Sequence, residues 1–334
     1  MLLIKWNSVV ELDTYKTRQL SMYEFNLSNI IDNFIIYNQN NINNLSEKYS
    51  VSYKTIEIQI RLHLPYYDEK EILNNKHLLY IIFKKLIKYF NFYAYFNKKI
   101  LIKNKHILNS KLKGKNDIFL QVGKNIKINL YFKKINNHII DKVFQKKLHY
   151  IKRYRKDTLD SFGFFVNEDD LYPICYASIS KCDRKYLFNA LKKTNIITNN
   201  DYDTILIMTR AFSMENAPKN LMSKFFDKIY NYYKYEDNNY TLILTALNPT
   251  LGFKGSIFKG SSYFQFAKSP MVYNYDDSGL YINRKSKLNK VTYLQKIKTP
   301  SIIWLARGIT KSNQIKLEKN KLIYDILDKE YIEG

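Results

Sequence analysis

Arg210 closes an apolar run at 203–212 (DTILIMTRAF) that has the length and β-branched content of a buried strand. A guanidinium there can contact a phosphate or stabilise developing negative charge; it can equally be a surface arginine ending a strand. His149 is a candidate general base, although a lone imidazole is more often structural. Asp203 is a weaker candidate. Asn248-Pro249 ends a second apolar run at 240–246 (YTLILTA) and either holds a strand open for substrate or simply turns the chain. No Ser-His-Asp arrangement, Walker loop or paired catalytic carboxylates stands out. Cys175, Cys182 and five scattered histidines have no metal-ligand spacing, so no metal site is expected.

A different chemistry is written in the charge. The 334 residues carry a formal net charge of +24, and 46% of them are hydrophobic, which excludes a wholly disordered chain. Abundant Lys, Asn, Ile and Tyr are what A/T-rich codons supply, so coding bias explains part of the lysine content. It does not explain the clustering. Between residues 98 and 147, fourteen lysines face only Asp117 and Asp141, and this surplus of +12 is half the total. Such a segment binds polyanions by counterion release, which points to nucleic acid without specifying sequence. Lys133, Lys134, Lys146 and Lys147 are the candidates there. No apolar window reaches a membrane span, and the start MLLIKWNSVVELD turns acidic before a signal core forms. A soluble cytoplasmic protein with no membrane partner is the expectation.

The elements that must position these residues follow from periodicity and breakers. A helix is predicted at 28–37, a break in the Asn-rich run that follows, and then a short helix near 45–49 and a second one capped by Ser52. Val51, Ile56 and Ile60 would be buried, with Ser52, Tyr53, Lys54 and Glu57 outward. Residues 43–61 thus read as a helix-turn-helix, whose second helix would meet DNA through Ser52, Tyr53 and Lys54, or as a plain helical hairpin. An amphipathic core helix is predicted at 71–96 and strands at 117–133 around a Gly123-Lys124-Asn125 turn. Beyond Asp141, strands are expected at 161–166, 172–180, 203–212 and 240–246, and helices at 185–193 and from 216–220 to about 233. A short helix and a further strand follow within 252–264. A terminal helix at 321–332 completes the reading.

Strand, turn, helix N-terminus, strand, short helix, strand resembles the cofactor half of the GNAT acyltransferase superfamily. Segments LIMTRAF (206–212), APKN (217–220) with Ser223, and ALNPTLGFKGSIFKGS (246–261) resemble its Mom-like branch, DNA-modification proteins that act on the exocyclic amine of adenine; His149 to Arg153 and Phe162-Gly163-Phe164 stand where that branch begins its domain. The resemblance covers about 148–285. It implies an α+β fold with a GNAT-like mixed sheet and flanking helices, after a helix-rich basic region at 1–147 and before an extension at 286–334. It also implies N-acyl transfer from acetyl-CoA or another acyl donor to a nucleobase amine in DNA. Arg210, Asn248, Tyr263 and His149 would carry the catalysis. Phe212, Ala217, Lys219, Asn220 and Ser223 would hold the donor, whose pyrophosphate would sit at the helix start. Two departures matter: Asn216, Lys219 and Asn220 replace the glycine-rich phosphate turn, and Phe258 stands where many acetyltransferases have a proton-donating tyrosine. A non-catalytic DNA-binding protein of a phage, plasmid or other mobile element, or acyl transfer to RNA or protein, are the rival readings.

Overall fold

The computed structural model describes residues 27–103, 107, 110–113, 119–122, 124, 126–198, 202–215, 217–282 and 295–326. The chain folds as two compact units. One comprises Met1–Ala94, Asn248–Phe253 and Pro270–Ile302; the other comprises Tyr95–Leu247, Lys254–Ser269 and Ile303–Gly334.

The first unit is helical. Helix α1 (27–37) is followed by α2 (Gln39–Tyr49) and α3 (Tyr53–His63). The Asn-rich run is therefore helical and not a break: Ile42 and Leu45 fall three residues apart on one buried face, and this anchorage overrides the poor intrinsic preference of asparagine. Ser50 ends α2 in the left-handed region, and Ser52 caps α3 by accepting from the Thr55 amide at 3.2 Å. Val51, Ile56 and Ile60 are buried as expected. Glu57 is not outward. It is 8% exposed, because Arg61 donates to it at 2.7 Å while also reaching Asp32 at 2.6 Å. The predicted helix at 71–96 is three: α4 (Glu69–Asn74), α5 (Leu78–Lys85) and α6 (Ile87–Lys103). A capping box between Asp68 and Glu71 starts α4, and the extended backbone of Asn75 stops it.

Most strands lie in the second unit, while Tyr281–Ile282 and parts of the strands on either side of it belong to the first. Strands β1 (Lys111–Lys113), β2 (Phe119–Val122) and β3 (Ile126–Asn129) form a small antiparallel meander. Gly123 and Asn125 of the predicted turn lie outside the described residues. Then come β4 (Tyr131–Lys134), α7 (His138–Lys142) and a π-helical turn at Val143–Leu148. After them follow β5 (Asp160–Phe165), β6 (Cys175–Lys181), α8 (Lys185–Lys193), β7 (Ile205–Ser213), α9 (Leu221–Tyr235), β8 (Leu242–Leu247), α10 (Ser256–Gly260), β9 (Phe264–Tyr275), β10 (Tyr281–Ile282), β11 (Gln295–Gly308), α11 (Lys311–Lys319) and β12 (Tyr324–Asp325). In this unit β4-β5-β6-β7 run antiparallel, β8 pairs parallel with β7, and β11 stands between β8 and β9.

This is the α+β mixed sheet with flanking helices, and the order of β7, α9, β8, α10 and β9 is the one that the resemblance implies. The sheet is fixed by aromatic packing: Phe225 of α9 lies 5.1 Å from Phe164, and Phe144 stacks on Tyr176 at 4.6 Å. The terminal helix predicted at 321–332 is a correction: Tyr324 and Asp325 pair in parallel with Ala267 and Lys268, and 327–334 lie outside the described residues. In a fragment this short, the open edge of β9 outweighs helical periodicity.

Candidate active site

Two strands that pair and then part define the site. Strands β7 and β8 pair from Ile205/Leu242 to Met208/Thr245 and no further, although β7 continues to Ser213. The register with β6 slips at the same point: Ser178 faces Arg210, but Ile179 faces Met208, so Thr209 is an extra residue in β7. A bulge twists and re-aims its strand. The Ser178 and Thr209 hydroxyls, 3.0 Å apart, fasten it. The result is a strand whose second half departs from β8 with backbone groups that β8 does not use.

Helix α9 follows this strand. Asn220 stands at its N-cap in the left-handed region (φ 64°), and the Leu221 amide donates to the Pro218 carbonyl at 3.2 Å. Pro218 therefore lies in the preceding turn, and the helix starts three residues later than the proline suggested. Lys219 and Asn220 are exposed, Ala217 is half-buried, and Asn216 lies outside the described residues. The Asn220 side chain does not cap the helix, and amides at a helix start favour an anion. Ser223, in the first turn, accepts at its carbonyl from Ser261 at 3.2 Å, which fixes α10 beside that turn. Phe212 is buried, with its ring edge-on to Phe144 at 5.3 Å. It is a wall residue of this strand.

Arg210 and His149 are brought close. Arg210 is 7% exposed; its guanidinium donates to the carbonyls of Thr209 at 2.6 Å and Arg153 at 3.3 Å. Burial, then the Arg210 charge, holds the His149 imidazole well below its ordinary range. Its Nδ1 accepts from the Ile151 amide at 3.2 Å, so the neutral ring carries its proton on Nε2. Lys152 in the same loop has φ 54°, and burial pushes its ammonium down to about 8. Sequence reasoning passed over Thr209 and Lys152. A bulge is visible only with the partner strand in hand, and nothing in the composition of His149 to Arg153 announces a desolvated lysine.

Tyr263 is buried against Phe258 (5.6 Å), which itself stacks on Phe226 at 5.4 Å. Burial raises the Tyr263 phenol further above its ordinary range, Arg307 opposes and Asp227 adds to the rise. A phenol so shifted is a reluctant acid. Asn248 belongs to the first unit. Its amide donates to the Tyr273 hydroxyl and accepts from the Thr250 amide at 3.1 Å, which shapes the turn after β8.

Among the residues proposed for DNA, Ser52 is engaged as a helix cap, Tyr53 is half-buried, and Lys54 donates to the Gly252 carbonyl at 3.0 Å and to Glu57 at 3.1 Å. Ser52 and Lys54 thus make contacts within their own unit, and Lys54 remains exposed. Lys134 pairs at 2.5 Å with Asp160, a carboxylate 4% exposed, which also accepts from Tyr233 at 2.7 Å. Lys133 donates to the Glu168 carbonyl at 2.5 Å, while Lys146 and Lys147 are exposed. No helix among the described residues is long and apolar enough to cross a membrane, and no metal-ligand cluster occurs among them.

No protein-family model matches the chain, and no curated protein matches it. Solved structures do match. A probable acetyltransferase from Staphylococcus epidermidis ATCC 12228 is 12% identical over 54% of this chain and 99% of that one, with a TM-score of 0.33. An N-acetyltransferase from Staphylococcus aureus Mu50 is 13% identical over 54% and 97% (TM-score 0.30), and a GNAT-family acetyltransferase from Streptococcus pneumoniae is 7% identical over 54% and 99% (TM-score 0.31).

Proposed function

We propose that the chain is an N-acyltransferase that takes its acyl group from an acyl-CoA and delivers it to a nucleobase amine in DNA, as the Mom-like resemblance implies. The coincidence of three features at one end of β7 supports this reading: pairing with β8 ends at Met208, the bulge falls on Thr209, and an anion-favouring helix start follows.

An acyl-CoA bound there supplies an activated thioester carbonyl. The backbone of β7 beyond Met208 would hold the donor's amide-bearing arm, and the amides at the start of α9, with Lys219, would hold its diphosphate. A backbone amide of the bulged segment would donate to the oxyanion as the amine nitrogen bonds to the carbonyl carbon. The carbon–sulfur bond then breaks, the thiolate leaves, and the former amine sheds a proton. Lys152 of the Arg210-tied loop, whose ammonium burial lowers to about 8, would accept that proton.

Phe258 and the buried, acid-shy Tyr263 favour a second reading, a DNA-binding protein with a non-catalytic domain of this fold. Calorimetric titration with acetyl-CoA and with CoA separates the two. One donor bound per chain, followed by an acetylated nucleoside in mass spectra of treated DNA, is the expected result. Absence of donor binding would leave the second reading.

A further inference from the structure

A concavity lies on the same unit, toward the carboxy-terminal end of α9. It is an open groove of about 650 Å³ between β4 and the second half of that helix. Three tyrosines, Tyr131, Tyr232 and Tyr235, line it with Lys133 and Lys228. Tyr235 is 70% exposed and Tyr131 39%, so both side chains reach solvent. Ammonium groups sit close to each ring: Lys133 is 5.9 Å from Tyr131, Lys134 is 5.7 Å from Tyr232, and Lys234 is 5.0 Å from Tyr235. Two carboxylates, Glu168 and Glu236, also line the groove. Lys133 stands 3.8 Å from Glu168, and the lysine-rich segment 98–147 runs directly through β4.

We propose that this groove binds an unpaired stretch of nucleic acid, with successive bases stacked on Tyr131 and Tyr235 and backbone phosphates met by Lys133, Lys228 and Lys234. Every base has a face that a tyrosine can cover, so such a platform tolerates sequence. The net charge of +24 supplies the long-range attraction and a steep salt dependence. The proposal rests on the nucleic-acid acceptor proposed above. It assigns the strand a place of its own, distinct from the donor cleft.

The test uses the full chain and fluorescein-labelled dT20, followed by anisotropy at two salt concentrations. Wild-type protein should bind. Y131A/Y235A should bind on the order of tenfold or more weakly, with the salt slope retained, since stacking is lost and charge is not. Y131F/Y235F should bind like wild type, because the ring and not the hydroxyl carries the contact. Acetyl-CoA binding should be unchanged in all variants, which also reports that they are folded. Equal binding by Y131A/Y235A overturns the proposal. Poly-glutamate of matched charge bound as tightly as dT20 also overturns it, because the surface would then read charge alone. Wild-type protein that binds acetyl-CoA but not dT20 overturns the groove and leaves the acyltransferase reading standing.

Discussion

The Arg210 guanidinium donates through Nη2 to the Arg153 carbonyl at 3.3 Å, tying the loop after the π-helical turn to the strand that carries the bulge. Replacing Arg210 with Met leaves the part-buried carbonyls of Thr209 and Arg153 without that donor. A loss of about 1–3 kcal/mol in unfolding free energy is expected by urea titration. The same change lifts the His149 imidazole part of the way back to its ordinary range, since Arg210 is the second cause of its depression. An unchanged NMR titration of His149 in that variant would sever the link.

Acid should weaken the fold through His149. Its folded-state value lies below 6.5, so the unfolded chain binds a proton that the folded chain refuses, and stability rises with pH through the window beneath 6.5. One such proton contributes up to about 1.4 kcal/mol per pH unit. H149Q should lose less stability than wild type between pH 7 and pH 5. Parallel losses would mean that other groups govern the acid limb.

The proposed role of Lys152 sets stability against activity. Its folded value of about 8 is below the ordinary 10.5, so stability grows as pH climbs from about 8 toward 10.5. Lys152→Met should therefore be at least as stable as wild type at pH 7, while acyl transfer falls by on the order of 10²-fold. The wild-type rate should rise as pH passes about 8. A fully active methionine variant would remove Lys152 from the mechanism.

Lys134 is held by Asp160, and hydrogen bonding to that carboxylate raises its value. Lys134→Ala strands a buried charge that Tyr233 alone still satisfies, at a cost of about 3 kcal/mol. D160N should cost less, because Lys134 is 41% exposed and reaches water. Neither should change the salt slope of nucleic-acid binding. A drop in that slope by about one for K134A would return Lys134 to the DNA surface.

Gly252 has φ 77°, and a Cβ there would meet the Lys54 ammonium at 2.7 Å and the Glu57 carboxylate at 3.0 Å. Gly252→Ala is expected to cost about 1–2 kcal/mol of strain. Adding Lys54→Ala should recover part of it, a non-additivity that a double-mutant cycle would measure. Strict additivity would show that the two residues do not meet.

The strands 160–165, 205–213 and 242–247 were legible because each is a short apolar run between breakers, and α8 was read to its ends, 185–193. Periodicity reports on one segment at a time, and what it missed depends on partners. Thr209 is a bulge only relative to Ser178 and Ile179. Glu57 is buried only because Arg61 bridges it to Asp32, and Lys134 is committed only because Asp160 lies across the β4–β5 pair. His149 and Arg210 were each chosen separately; their mutual influence appears when a loop and a strand sixty residues apart are brought together.

Neither compact unit is continuous in the chain, and both β9 and β11 begin in one and finish in the other. During synthesis the amino-terminal helices emerge long before Asn248–Phe253 and Pro270–Ile302, the segments that complete their unit. At about 5–20 residues per second, Ala94 leads Ile302 by roughly 10–40 s. The amino-terminal helices are thus without the segments that complete their unit for longer than most small domains take to fold.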